Sequence, residues 1–271
     1  MSDLKIRQFL VLLLVGLTLS KFSFADNLRS AFSEPGKWEN VSEVEAKDKK
    51  LIVKKEGQGV LINGRTGRCN NIITKKHYKD LEFHLEFMLA KQSNAGVYFM
   101  GRYEIQIFDS FGKAKWNFSD LGGLYQRWPV NRGAGIAPKI NAAKKPGEWQ
   151  TMDVIFRAPR FDEKGYRVSQ ALFKEVRING QLVHKNLYAV GPTRSSAFHD
   201  EAKTGPIMIQ GDHGPIAIRN MVVKDIDLKD VPTKKLTVKE SLPLGTNGEP
   251  KEELVSKGMG TFNIYPMSKR G

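Results

Sequence analysis

Five apolar residues, Leu81, Phe83, Leu85, Phe87 and Leu89, alternate with Glu82, His84, Glu86 and Met88. A period of two over nine positions predicts a β-strand, because successive side chains of a strand point to opposite faces. From Leu51 onward other apolar residues alternate or come in short blocks, with Gly and Pro between them. Residues 97–100 and 103–108 form two such blocks, divided at Gly101, and 149–157, 173–178, 181–185, 207–210 and 216–223 form the rest. Asn179-Gly180 joins two of them and supplies the positive φ angles of a type I′ hairpin turn. No long stretch after Ala25 carries a helical period. Many short strands between turn signals predict an all-β fold, a two-sheet sandwich or jelly roll. Two loops, 112–149 and 188–205, exceed the usual length, and long loops on a rigid β scaffold are often where function sits.

The first residues follow a different pattern. Lys5 and Arg7 precede an apolar run over 9–17, and Ser23-Phe24-Ala25 closes the segment with small residues at either end. This is the layout of a secretory signal peptide, and the run is shorter than the roughly 20 residues that span a bilayer. Cleavage after Ala25 is expected, with export to the periplasm or the exterior. From Lys229 to Gly271 the chain turns rich in Lys, Pro and Gly. The expected organisation is a signal peptide over 1–25, a β-sandwich domain over 26–228 and a basic C-terminal extension over 229–271.

Charge narrows the function classes. The chain of 271 residues carries 43 Lys and Arg against 29 Asp and Glu, a formal net charge of +14. The lysines are scattered in small groups, such as Lys47, Lys49 and Lys50, Lys75, Lys76 and Lys79, or Lys144 and Lys145. No basic run is interleaved with aromatics, and an exported protein does not meet the genome, so nucleic acid is excluded as a partner. Attraction to anionic envelope surfaces or acidic polysaccharides is the expectation that the charge leaves. One cysteine, Cys69, excludes a disulfide framework and a Cys-rich zinc site. Phosphate-binding loops, nucleophile elbows and His-Glu-x-x-His metal helices are missing from the sequence.

Two clusters carry chemistry. In 103–109, alternation sets Tyr103, Ile105 and Ile107 on one face, and Glu104 and Gln106 side by side on the other. Asp109 ends this strand, where a bend could turn it toward the same cleft. Neighbouring Glu and Gln side chains can hold sugar hydroxyls or a hard cation, since both offer oxygen ligands. The second cluster is Gln210-Gly211-Asp212-His213-Gly214-Pro215, followed by Arg219. Histidine is the side chain whose ordinary pKa lies nearest neutrality, so His213 could serve as a general base or a metal ligand. Arg219 could pair with Asp212 or hold substrate oxygens. Trp149, Tyr125 and Trp128 could stack on sugar faces, or pack in the core.

The segments Ser93–Gly112, Lys145–Phe161 and Gly205–Met221 resemble, in order, the DUF1080 or 3-keto-disaccharide hydrolase domain, with the resemblance running from about Trp38 to Asp227. It implies a concanavalin A-like jelly-roll sandwich acting on 3-keto-glycosides by hydrolysis or elimination. A ketone at C3 acidifies the C2 hydrogen, and the glycosidic oxygen on C1 can leave from the resulting enolate. The implied positions are Glu104, Gln106, Asp109, Gln210, Asp212, His213 and Arg219. His213 is expected as base or metal ligand, Glu104 as second acid/base or ligand, and Asp109 with them in catalysis. Gln106, Gln210, Asp212, Arg219, Trp149 and Tyr125 are expected to bind substrate. A divalent cation on Glu104 and His213 is the one cofactor considered. Relatives often read Gln-Asp-His-Gly, whereas here Gly211 intervenes between Gln210 and Asp212, which alters the direction expected for Gln210. The same sandwich could instead be a non-catalytic carbohydrate-binding module, since fold does not fix function.

Overall fold

The computed structural model describes residues 27–127 and 133–228, with the backbone of 22–23. The signal-peptide cleavage at Ala25, Trp128 and the 229–271 extension lie outside the described residues. A short strand β1 (Phe22–Ser23) and one turn of 3-10 helix (Leu28–Ala31) precede the main strands. These are β2 (Glu39–Lys47), β3 (Lys50–Ile62), β4 (Ile72–Tyr78), β5 (Asp80–Leu89), β6 (Asn94–Phe99) and β7 (Tyr103–Phe108). After the long loop come β8 (Trp149–Arg157), β9 (Arg160–Phe161), β10 (Arg167–Ser169), β11 (Ala171–Ile178), β12 (Gln181–Ala189), β13 (Gly205–Ile209) and β14 (Ile216–Ile226).

Twelve of the strands form two antiparallel sheets, and β9 and β10 pair as a separate two-stranded ladder. The larger runs β12-β11-β8-β5-β14-β3-β2, with β1 beside β14, and the smaller runs β4-β13-β6-β7. Strands remote in sequence pair within each sheet, as β5 with β14 and β4 with β13, so the chain wraps around the core. The fold is therefore all-β, a jelly-roll sandwich of the concanavalin A-like kind, as the alternation and the resemblance both led one to expect. Asn179 and Gly180 take φ of 52° and 77°, the paired positive values of the expected hairpin turn.

Between the sheets, alternate residues interdigitate. Phe99 of β6 meets Phe83, Phe156 and Phe173 of the large sheet with ring centroids 5.3, 5.4 and 5.2 Å apart. Such pairs contribute about 0.5–1.5 kcal/mol each beyond their buried area. Tyr103, Ile105 and Ile107 of β7 are fully buried in this core, which leaves Glu104 and Gln106 on the outer face of the small sheet. A second apolar cluster of Val41, Val44, Leu51, Val60, Met88 and Ala217 lies on the outer face of the large sheet, with Trp149 packed against it. It is what holds β2 and β3. The sequence does not separate these two strands, because exposed Lys and Glu interrupt their buried positions.

Candidate active site

Glu104 lies on β7 opposite Tyr98 on β6, while Gln106 lies opposite Gly96. The absent side chain at Gly96 decides the geometry. A Cβ there would stand 2.2 Å from Glu104 Oε1, so the carboxyl lies over the glycine, across β6. On the other side of β6, the Gln210 amide donates to the Gly96 carbonyl at 3.0 Å. Gly96 is thus the hinge point between the two clusters read from the sequence.

Gln210, Asp212 and His213 converge at the end of β13. His213 Nδ1 is 2.6 Å from Asp212 Oδ1 and 3.2 Å from Gln210 Nε2. With the Nδ1 proton donated to Asp212, Nε2 keeps its lone pair and can act as a base. The turn itself is fixed from below. Asn63 Nδ2 donates to the carbonyls of Gly211 and Gly214 at 2.9 and 2.8 Å, and Arg68 donates to the Asp212 carbonyl at 2.8 Å. Gly211 is required here, because a Cβ would stand 2.4 Å from the Asn70 carbonyl oxygen. The extra glycine does not turn Gln210 away from His213.

Loops close over this face. The Gly122 amide donates to the Gln106 carbonyl, the Gln106 amide to Gly123, and the Tyr125 amide to Glu104, at 2.8, 2.8 and 3.1 Å. This irregular segment adds itself along the free edge of β7. His184 Nε2 lies 2.8 Å from the Gly122 carbonyl, and burial pulls its pKa down to about 4, so the neutral ring holds the segment. The second long loop is tied in by Thr193, whose Oγ1 accepts from the Glu104 amide at 3.1 Å and donates to the Arg102 carbonyl at 3.0 Å. Farther along, Arg167 pairs with Glu201 at 2.7 Å in the interior, and the Tyr103 hydroxyl also bonds Glu201.

These covers leave Glu104 and Tyr98 buried, and burial pushes the Glu104 pKa up to about 8. A hydrogen bond from Tyr98 and the charge of Arg194 pull it down, and Asp212 adds a further upward push. The Tyr98 hydroxyl also stands 3.2 Å from the Arg194 carbonyl oxygen. A neutral Glu104 can donate to the phenol oxygen while the phenol donates to Arg194. Once Glu104 ionises, the phenol turns its proton to the carboxylate. His213 and Asp212, by contrast, have about half of their side-chain surface exposed, at 53% and 49%. The cluster therefore runs from a wet imidazole to a dry carboxyl. Nearby on β6, the Asn94 side-chain oxygen is buried without a hydrogen-bond partner.

Glu104, Gln106, Gln210, Asp212 and His213 thus share one region, and Tyr125 joins it through its backbone bond to Glu104. Three expected residues do not. Asp109 lies just past the end of β7, five residues and roughly 16 Å from Glu104 at strand rise, and its carboxylate accepts the Gln92 amide at 2.9 Å. It caps the β5–β6 turn instead of bending toward Glu104. Arg219 and Trp149 sit on the outer face of the large sheet, across the whole sandwich. There Arg219 Nε bonds Glu86 at 2.7 Å and its guanidinium stacks 3.9 Å from the Trp149 ring centre. Passing from β13 to β14 carries the chain from one sheet to the other, so nearness to His213 in sequence is not nearness in space.

Tyr98, Gly96, Asn94 and Arg194 were not singled out from the sequence. Ser93-Asn94-Ala95-Gly96 did hold a signal, a glycine in a strand marking close approach of another group. Among the described residues no three His, Cys, Asp or Glu side chains converge as a cation site would need. Cys69 donates to the Asn63 carbonyl at 3.1 Å, and burial raises its pKa, which suits a packed thiol and not a nucleophile.

A protein of Parabacteroides distasonis ATCC 8503, provisionally classed as a glycosyl hydrolase, is 24% identical with a TM-score of 0.50, over 76% of this chain and 84% of its own. It shares the fold. Two further proteins of that organism, classed in the same provisional way, are 21% and 17% identical with TM-scores of 0.43, over 64% and 70% of this chain and 89% and 88% of their own. No curated protein matches the chain significantly. The model of the 3-keto-alpha-glucoside-1,2-lyase-like domain matches residues 28–224, which include β2 to β13, most of β14 and every residue of the cluster. The chain belongs to this carbohydrate-active family, the same DUF1080 family that its three motifs resemble.

Proposed function

We propose that the protein cleaves 3-keto-glycosides, removing the C2 proton beside the ketone and expelling the C1 oxygen. The observation that carries this reading is that a buried carboxyl, Glu104, and the turn bearing the His213 imidazole lie on either side of Gly96. Glu104 is buried with its pKa pushed up to about 8, and His213 is half-exposed with its Nδ1 held by Asp212. Groups whose environments differ in this way divide acid and base roles at neutral pH. His213 Nε2 takes the C2 proton, and the electron pair passes into the C3 carbonyl as an enolate. Collapse of the enolate forms the C1–C2 double bond and breaks the C1–O bond, and Glu104 delivers its proton to the departing oxygen. Water added to the unsaturated product gives net hydrolysis. Gln106, Gln210 and Tyr125 supply hydroxyl-binding and stacking contacts. Tyr98 serves as the proton partner of Glu104.

Substrate contact with Glu104 requires the groups that bury it to move aside. Export with removal of residues 1–25 is part of the same proposal, since it would bring the enzyme to sugars outside the cytoplasm; a mature protein beginning at Asp26 is the expected N-terminal sequence.

The test is turnover of a chromogenic 3-keto-glucoside beside its unoxidised parent, each with and without a chelator. Release from the keto form alone supports the α-proton route. Release from both would point to an oxocarbenium-type glycosidase. Release from neither, with binding seen by calorimetry, would make the protein a carbohydrate-binding module. Loss with chelator would add a cation, for which Glu104 and His213 are the candidate ligands.

A further inference from the structure

An open hollow lies at the β2–β3 turn, and Glu104 is not among the residues that line it. It has a volume of about 450 Å³ and is lined by Lys47, Asp48, Lys49, Lys50, Ile52 and Lys91. Such a volume falls within the range of small-ligand sites. Four lysines and one aspartate line the hollow, a formal local excess of three positive charges. Lys54, Lys76, Lys113 and Lys224 pair with Glu45, Asp225, Asp120 and Glu82. Among the described residues none of the four lysines in the hollow makes an ion pair. Holding like charges together costs free energy that an anion would offset.

The two turns that carry these lysines are fixed to each other. The Lys91 amide donates to the Asp48 carbonyl at 2.7 Å, with Asp48 in the left-handed region at φ 49°. The backbone segments that carry the lysines therefore stay together without a ligand. Lysine supplies point charges and not the flat fork of arginine, which suits several spaced anionic groups better than one bidentate phosphate. Ile52 adds an apolar wall for a ring face.

We infer that this hollow is a second binding site, for a saccharide bearing carboxylate groups, separate from the cluster about Glu104. The saccharide part rests on the carbohydrate reading of the chain; the anion site does not. The test is calorimetry of the full chain with a short oligogalacturonate, a neutral malto-oligosaccharide, inorganic phosphate and phosphatidylserine vesicles. It is repeated on Lys47→Glu/Lys49→Glu/Lys91→Glu and on a control of equal net charge, Lys75→Glu/Lys79→Glu/Lys185→Glu. Oligogalacturonate is expected to bind in low salt, about tenfold or more weakly to the first triple variant and within about twofold of wild type to the control, and to weaken as salt rises. Equal loss in both variants would reduce the effect to net charge, and no binding would remove the site. Vesicles or phosphate binding in place of the oligosaccharide would overturn the ligand class. Turnover of the 3-keto substrate by the first variant is expected to match wild type, so failure of the hollow and failure of the proposed reaction are read separately.

Discussion

The Tyr98 hydroxyl is hydrogen-bonded to the buried carboxyl of Glu104 across adjacent strands, and the same hydroxyl stands 3.2 Å from the Arg194 carbonyl. One phenol thus has an acceptor on either side and can follow the protonation of Glu104 without leaving the interior. Replacing Tyr98 by Phe removes the bond that favours the carboxylate, so the Glu104 pKa should rise further. The expected outcome is a decrease of about tenfold or more in kcat, with the alkaline limb of the pH–rate profile displaced upward. A profile unmoved by Tyr98→Phe would remove Tyr98 from the proton path.

Glu104 also ties stability to pH. Its folded pKa of about 8 exceeds the unfolded value near 4.3, so between those limits the native state binds the extra proton and stability falls as pH rises. Glu104→Gln keeps the shape and abolishes the ionisation. At pH 8 to 9 it should be more stable than the parent by on the order of 2–4 kcal/mol, with the difference fading toward pH 4. Chemical denaturation across this range measures it. Turnover should be lost in the same variant.

Gly96→Ala tests the hinge between the clusters. The new methyl would meet Glu104 Oε1 at 2.2 Å, so the carboxyl must move. A loss of about 1–3 kcal/mol in stability is expected, with a fall in kcat larger than any change in KM. Retained kcat would mean that the position of Glu104 over β6 is not needed for turnover.

His213→Ala should reduce turnover by about 10²–10⁴-fold with little change in Tm, because the ring is half-exposed. Arg219→Ala is the counterpart. It lies outside the cluster, breaks the contacts to Glu86 and Trp149, and should cost roughly 1 kcal/mol with turnover unchanged. Wild-type activity in the first variant, or loss in the second, would reverse the placement argued here.

Much of the sandwich is legible in the sequence wherever one strand face meets the core and the other does not. Residues 81–89 and 103–108 alternate cleanly, and in the second run alternation alone sets Glu104 and Gln106 apart from the core face. The segment 97–100 is apolar throughout, because loops cover the outer face of β6 as well as the core face. Tyr98 therefore reads as core, and its partnership with Glu104 is hidden. Arg219 and Trp149 fail for another reason. Linear nearness to a reactive motif carries no information about which sheet the next strand will join.

The segment 122–125 that shapes the site along β7 has a second consequence. An exposed sheet edge offers unpaired amides and carbonyls to any other strand, and proteins must hide such edges. Here the edge of β7 is occupied by the loop, with Leu124 bridging Ile105 on one side and Ile136 on the other. A change that frees this loop would therefore bare a docking strip for self-association, so that inactivation and aggregation should arise together from one lesion.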